Sequence, residues 1–203
     1  MYKIKLVYFD IGNVLLDYSC AFFTAAKEFE RERRDFLKIH YAVSNDMYIG
    51  KVTPQDFWGL CRNKLSIDPE NSYDILDSWT NDYFSLQTVH NLVLQLQNGG
   101  YKIGLLSNLF SDMLPYLLNK NIIPNINYEQ IIISCDVKTK KPEEKIYEIA
   151  QEQSGLRAEE IMLIDDKREN MLTAKQLNWK CITFDYYHVE RSVDEIQKVL
   201  SLN

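Results

Sequence analysis

Carboxylates that end apolar runs are the residues whose type and position first suggest chemistry in this sequence. Asp10 follows the apolar run at residues 4–9, and Asp165 and Asp166 follow the run at 161–164. A carboxylate can act as a nucleophile, and several together can bind a divalent cation. Each is also compatible with a capping or turn aspartate, so the interpretation depends on the elements that position them.

Two further apolar runs lead to a hydroxyl, an amide and a lysine. Ser107 and Asn108 end the run that starts at residue 101, and the run at 131–134 leads on to Lys141. A lysine and a hydroxyl can bind phosphate oxygens. Alone, a Ser-Asn pair is more typical of a turn and a lysine of a solvated charge. The functional interpretation therefore requires that these side chains meet.

The order of elements predicts that they do meet. Short apolar runs alternate with helical patterns from residue 88 onwards, and a fifth run lies at 181–184. This alternation predicts an α/β fold with a doubly wound, mainly parallel five-stranded sheet. In such a sheet ligands bind at the carboxyl ends of the strands, so all the polar signatures are expected at one edge.

Residues 18–87 interrupt this alternation with helical patterns alone. Thr53-Pro54-Gln55-Asp56 is typical of a helix start, with a threonine cap and an acidic residue in the first turn. Asp68-Pro69-Glu70 repeats the signal, whereas Gly99-Gly100 ends the helix after the interruption. We predict a core domain of residues 1–17 and 88–203 with a helical cap, 18–87, inserted into it.

Composition excludes several classes of function. The 203 residues are 46% hydrophobic and 26% charged, with a net charge of −6. The absence of a long basic run disfavours nucleic acid as a partner, and no apolar stretch has the length of a membrane span. Four scattered cysteines and the lack of a signal-peptide pattern predict reduced thiols in the cytoplasm. The oligomeric state stays open.

Four motifs follow one another along the chain. They are Phe9 to Leu15, Leu106-Ser107-Asn108, Ser134 to Val137 with Lys141-Pro142-Glu143 and Ile146-Tyr147, and Ile164-Asp165-Asp166 with Asn170-Met171 and Ala174. In this order they resemble the motifs of the haloacid dehalogenase-like hydrolases with a helical cap, and within that family they resemble most the sugar-1-phosphate phosphatase-like group, whose first motif also reads Asp-x-Gly-Asn-Val. The resemblance covers essentially the whole chain and implies a Rossmann-like core.

The resemblance implies a metal-dependent phosphatase that acts on a small phosphorylated metabolite, such as a sugar phosphate. Asp10 would be the nucleophile and would form an aspartyl-phosphate. Asp10, the backbone carbonyl of Gly12 and Asp166 would bind Mg²⁺, with Asp165 beside them, directly or through water.

The resemblance also assigns the remaining site residues. Ser107 and Asn108 would hold the transferring phosphoryl group, and Lys141 would neutralise its charge and orient Asp10. Electrostatic stabilisation of this kind is the main catalytic contribution in phosphoryl transfer.

Gly12 departs from the family pattern. Most family phosphatases carry a second aspartate there, which protonates the leaving group. Its absence suggests a good leaving group, such as an anomeric sugar phosphate, or a proton from the cap or the substrate. Two alternatives stay open: a non-catalytic member that binds a phosphorylated ligand or a protein, and a dehalogenase, which the adjacent carboxylates disfavour. Candidates to face the cap pocket are Tyr18, Tyr48, Lys51, Trp58 and Trp79.

Overall fold

A five-stranded parallel sheet is the central element of the fold. The computed structural model describes residues 3–68 and 72–201. Its strands, in chain order, are β1 (Leu6–Phe9), β2 (Leu16–Asp17), β3 (Phe84–Ser85), β4 (Lys102–Ser107), β5 (Gln130–Ile133), β6 (Ile161–Asp165) and β7 (Lys180–Thr183). The order in the main sheet is β5-β4-β1-β6-β7, and each neighbouring pair is parallel. The predicted α/β fold is confirmed.

Helices cover both faces of this sheet. In chain order, the helices of the described residues are α1 (Phe23–Glu28), α2 (Arg33–Tyr48), α3 (Pro54–Leu65), α4 (Ile75–Asn81), α5 (Gln87–Asn98), α6 (Met113–Asn119), α7 (Ser134–Val137), α8 (Glu144–Ser154), α9 (Arg168–Gln176) and α10 (Val189–Val199). Because successive side chains of a strand point to opposite faces, β1 supplies Val7 and Phe9 to one apolar cluster and Leu6 and Tyr8 to the other. Helices α5, α6 and α10 pack in the first cluster, and α8 and α9 in the second.

Helices α1 to α4 lie between β2 and β3, two short strands that pair with each other. The pairing is antiparallel, with Leu16 opposite Ser85 and Asp17 opposite Phe84. The four helices surround an aromatic cluster in which the rings of Phe22, Phe57 and Trp79 lie 4.7–5.6 Å apart. This cluster is continuous with the first apolar cluster of the sheet, so the inserted helices share a core with it.

Some predicted helix starts agree with the structure. Thr53 caps α3 and forms a reciprocal capping box with Asp56. Aromatic residues also recur at helical spacing from Phe22 to Phe36, and the structure divides this stretch between α1 and α2, with Glu30 at a φ of +50° in the break. The start signal at Pro69-Glu70 lies outside the described residues, and α4 is instead capped by Asp74.

Three other predicted boundaries are wrong. Pro142 and the two glutamates after it predict a helix from Pro142 to about Ser154, but α8 begins at Glu144, because a turn closed by Glu143 N–H and the Lys140 carbonyl (2.8 Å) comes first. The Lys141–Pro142 peptide bond in that turn is cis. The sequence predicts a closing helix from Val193 to Leu200, but α10 begins four residues earlier, because a capped turn at Tyr186–His188 leads directly into it. A helix is also predicted from about Ser111 to Asn121, whereas α6 spans Met113–Asn119.

Candidate active site

The carboxyl ends of β1, β4 and β6 meet at the centre of the sheet edge. Asp10 continues the ladder beyond β1, with its N–H donating to the Ile164 carbonyl (2.9 Å). One carboxylate oxygen of Asp10, Oδ1, accepts hydrogen bonds from the Ser107 hydroxyl (2.7 Å) and from the Ile11 N–H (2.8 Å). Among the described residues no group donates to the other oxygen, Oδ2. Asp10 therefore has one fixed and one available oxygen.

Lys141 extends into this edge from the turn before α8 and is almost fully buried, with 2% of its surface exposed. Its ammonium lies 2.9 Å from Asp10 Oδ1 and 2.6 Å from Asp165 Oδ2, and it donates to the Leu106 carbonyl (2.7 Å). Burial disfavours the charged lysine, but the two carboxylates raise its pKa above the ordinary value. The lysine therefore stays charged between them.

Asp165 is fully buried, and both of its oxygens have hydrogen-bond partners. Besides Lys141, it accepts hydrogen bonds from the Lys167 N–H (2.8 Å) and from the Asn170 amide (2.9 and 3.0 Å). Asn170 lies in the first turn of α9 and was not among the predicted site residues, although it is part of the fourth motif. These contacts make Asp165 a fixed partner of Lys141.

Asp166 differs from its neighbour because one of its oxygens has no partner. Oδ2 accepts a hydrogen bond from the Asn13 amide (3.1 Å), whereas no described group donates to Oδ1, which is shielded from solvent. Burial raises the pKa of Asp166, and the bond from Asn13 opposes the rise. Asn13 was missed by the sequence analysis; its φ of +56° and its place after Gly12 are typical of a turn residue.

The donor set at this edge fits a hard divalent cation. One oxygen from each of Asp10, Asp165 and Asp166 lies within 4.8 Å of the other two. Within residues 3–68 and 72–201 the three carboxylates face one buried ammonium, so two negative charges lack a buried cationic partner there. Burial raises the pKa of Asp10 to about 6 against the opposing effect of Lys141. The unpartnered Oδ1 of Asp166 and the available Oδ2 of Asp10 are oxygen ligands of the kind Mg²⁺ prefers.

The side chain of Asn108 forms hydrogen bonds with the backbone of Lys141 and is not available to a ligand in the cavity. Its amide nitrogen donates to the Lys141 carbonyl (2.8 Å), and its amide oxygen accepts from the Lys141 N–H (2.8 Å). These reciprocal bonds position the backbone of Lys141. The part of Asn108 that can still reach a ligand is its main-chain N–H, which donates to no described group.

A cavity of about 400 Å³ opens from these carboxylates towards the inserted helices. Of the five candidate pocket residues, Tyr18, Tyr48 and Trp79 line it. Lys51 lies outside the lining, and the Trp58 ring packs against the rings of Phe29 and Tyr73. The rest of the lining is largely aromatic and aliphatic, with His40 and Arg33 among its polar members.

The sequence matches the family described as haloacid dehalogenase-like hydrolase over residues 7–184. The chain belongs to this family. The four motifs had predicted the same family, and this prediction is confirmed. This haloacid dehalogenase-like hydrolase is also similar to a phosphoglycolate phosphatase of Vibrio cholerae. The two are 26% identical over an alignment of 206 positions, which covers 94% of this chain and 89% of the relative.

Solved structures of the family share the fold. A haloacid dehalogenase family enzyme from Bacteroides thetaiotaomicron, in complex with magnesium and inorganic phosphate, is 21% identical, with a TM-score of 0.72 over 90% of this chain and 95% of its own. The L-2-haloacid dehalogenase from Xanthobacter autotrophicus, with chloropropionic acid covalently bound, is 17% identical, with a TM-score of 0.65 over 89% of this chain and 77% of its own. No described helix of this hydrolase is long and apolar enough to cross a bilayer.

Proposed function

We propose that this hydrolase is a magnesium-dependent phosphatase that cleaves a small phosphorylated metabolite through an aspartyl-phosphate on Asp10. The observation that carries the proposal is the arrangement of the Asp10 carboxylate. Three donors, namely Ser107, Lys141 and the Ile11 N–H, hold Oδ1, while Oδ2 is available to attack a phosphorus atom in the cavity. The names of the phosphatase from Vibrio cholerae and of the magnesium and phosphate complex from Bacteroides thetaiotaomicron support this choice.

Each protein group has a role in this reaction. Asp10 Oδ2 attacks phosphorus in line with the ester oxygen that leaves. Lys141 compensates the negative charge that the phosphoryl group brings next to two carboxylates, and the Asn108 N–H donates to a phosphoryl oxygen. The Ser107 hydroxyl, which donates to Asp10 Oδ1 in the free site, turns its single proton to another phosphoryl oxygen when the substrate binds. Because a ring of fixed donors already orients these groups, little reorganisation is needed when the substrate binds.

Asp10, Asp166 and the backbone carbonyl of Gly12 would hold the cation. No described residue donates a hydrogen bond to that carbonyl, and Asp166 Oδ1 is likewise unpartnered. Bound there, Mg²⁺ would neutralise charge on the phosphoryl oxygens and favour the ionised form of Asp10. Asp165 takes part through Lys141 and not as a direct ligand.

The inserted helices, residues 18–87, act as a cap that selects the substrate. The cavity beneath them has room for a small metabolite and combines flat aromatic faces with the charged and polar groups of the sheet edge and with Arg33 and His40. A sugar phosphate, with a hydroxylated but compact body, is the substrate class that we propose. The cytoplasmic location stays a prediction.

Phosphate release from a panel of esters tests the proposal. The panel contains sugar 1-phosphates, sugar 6-phosphates, phosphoglycolate and p-nitrophenyl phosphate, each with Mg²⁺ and with a chelator. Magnesium-dependent release that is lost in Asp10→Asn and kept in Asp194→Asn, an exposed carboxylate on α10, is the expected result. Release of halide from 2-haloacids, or phosphate binding without turnover, would contradict the proposal in favour of a dehalogenase or a binding protein.

A further inference from the structure

The loop after the nucleophile has no side chain at position 12, and an aromatic ring fills the space. A Cβ atom on Gly12 would lie 2.8 Å from Tyr18 Cε1, closer than a Cβ atom and a ring carbon approach each other in proteins, and 3.2 Å from Tyr18 Cδ1, which is also a tight contact. The nearest three atoms to that position all belong to Tyr18. The tyrosine ring therefore occupies the space that a side chain two residues beyond Asp10 would take.

Strand β2 and the loop after Asp10 fix the position of Tyr18. It directly follows Asp17, the last residue of β2, and its carbonyl accepts a hydrogen bond from the Ala21 N–H (3.0 Å). Its hydroxyl oxygen accepts a hydrogen bond from the Asn13 amide (3.3 Å), and the same amide donates to Asp166. The phenol is thus tied to the loop that carries the nucleophile.

The proton of the Tyr18 hydroxyl is not used within the protein. The bond with Asn13 occupies a lone pair of the phenol oxygen, because the amide is the donor. Among the described residues no group accepts the phenolic proton, and Tyr18 lines the cavity together with Asp10. A tyrosine keeps its proton at neutral pH and can donate it to a ligand.

We propose that Tyr18 is a catalytic residue whose hydroxyl donates the proton to the leaving group. The inference rests on the proposed phosphatase function. Asp10 Oδ2 forms a bond to phosphorus while the bond from phosphorus to the ester oxygen breaks. The ester oxygen keeps the electron pair and takes the Tyr18 proton. Water then hydrolyses the aspartyl-phosphate, and the proton it releases restores the phenol.

A second tyrosine in the cavity provides a direct comparison. Tyr48 also lines the site, but it belongs to α2, and its ring is stacked on Phe110 with centroids 5.0 Å apart. It has no contact with the loop position that Tyr18 fills. The geometry therefore favours Tyr18, and Tyr48→Phe becomes the competing variant in the test.

The dependence of turnover on the leaving group distinguishes a proton donor from a side chain that is only structural. Phosphate release is measured for wild type, Tyr18→Phe and Tyr48→Phe on esters that range from p-nitrophenyl to alkyl and sugar phosphates. A poor leaving group needs the proton most, so we expect Tyr18→Phe to lower turnover of alkyl esters by about 100-fold more than that of p-nitrophenyl phosphate. The control Tyr187→Phe, at a ring that is 88% exposed, should behave like wild type.

A second measurement uses Gly12→Asp, which introduces a carboxyl donor and displaces the Tyr18 ring. In that background the selective loss caused by Tyr18→Phe should disappear, because the two donors serve the same oxygen. An equal loss on all esters, or a selective loss in Tyr48→Phe alone, would overturn the assignment of Tyr18. Absence of phosphate release by the wild type from every ester would overturn the phosphatase function, and this inference with it.

Discussion

The Lys141 ammonium donates a hydrogen bond to Asp165 Oδ2 over 2.6 Å, and both side chains are removed from solvent. The ion pair with Lys141 distinguishes Asp165 from Asp166, its neighbour in the fourth motif. Asp165 has partners on both oxygens, whereas Asp166 has an oxygen without one. Sequence neighbours therefore have different electrostatic environments, which leads to predictions of opposite sign.

Asp166→Asn should weaken Mg²⁺ binding but not the metal-free fold. We expect a loss of affinity of about 100-fold in calorimetric titration, compared with about tenfold for Asp165→Asn, which acts through Lys141. Without metal, Asp166→Asn removes a half-buried, incompletely paired charge and should leave the free energy of unfolding unchanged or raise it. Asp165→Asn should lower it. If the two substitutions lowered the affinity for Mg²⁺ equally, Asp165 would be a direct ligand of the cation, contrary to this prediction.

Lys141→Met should destabilise the protein strongly in the absence of metal. It leaves Asp10 and Asp165 buried without their shared cation, and losing one partner of a buried pair costs about 3–5 kcal/mol. Urea unfolding at neutral pH measures the change. The control is Lys145→Met, which removes an exposed pair with Glu148 (3.4 Å) and should cost less than ~1 kcal/mol. Similar losses in the two variants would contradict the role given to the buried network.

Asn108→Ala should reduce both stability and turnover. The two bonds to the Lys141 backbone are lost, and a buried hydrogen-bonding group left without a partner costs about 1–3 kcal/mol. Loosening of Lys141 should lower kcat by about 10–100-fold, with little change in Mg²⁺ affinity. Asn91→Ala is the control, because Asn91 is exposed on α5 and its side chain accepts a hydrogen bond from the equally exposed amide of Gln87 (3.3 Å). A variant with normal kcat would show that the amide does not position Lys141.

The stability of the fold should depend on His40 between about pH 4 and 6.5. Burial lowers the pKa of His40 to about 4, and neither ring nitrogen has a described hydrogen-bond partner. As the pH falls, the unfolded chain takes up a proton first, so stability present above pH 6.5 is progressively lost. The full difference corresponds to about 3 kcal/mol.

Unfolding measured across this pH range checks the prediction. His40→Phe, in a site where the ring already packs against Phe57 and Phe110, should flatten the pH dependence. His188→Gln, at an exposed ring, should keep the dependence of the wild type. An unchanged slope in His40→Phe would mean that other groups cause it.

The sheet and its functional edge could be predicted because each strand, and the polar residue that ends it, can be recognised from a short stretch of sequence. A parallel strand buried on both faces is a continuous apolar run, and the polar residue after it marks the carboxyl end. Asp10, Ser107 and Asp165 were located in this way. Their convergence followed from topology alone, since parallel strands end at a common edge.

The partners of these residues could not be predicted in the same way. The bonds from Asn108 to Lys141 and from Asn13 to Asp166 join residues 33 and 153 positions apart. Nothing in the local sequence distinguishes an amide that binds a ligand from one that binds the backbone. The start of α8 was misplaced for a related reason, because the turn at Lys141 depends on its contact with Asn108.

The antiparallel pairing of Asp17 with Phe84 brings together the two points where the chain leaves and re-enters the core. Opposed residues of such a pair are about 5 Å apart, so a two-residue turn could close the gap. The segment between them is thus a module with adjacent ends. In evolution it can be exchanged for another of different length without shifting the sheet register, but the replacement must again pack on the shared core and supply a proton donor in place of Tyr18.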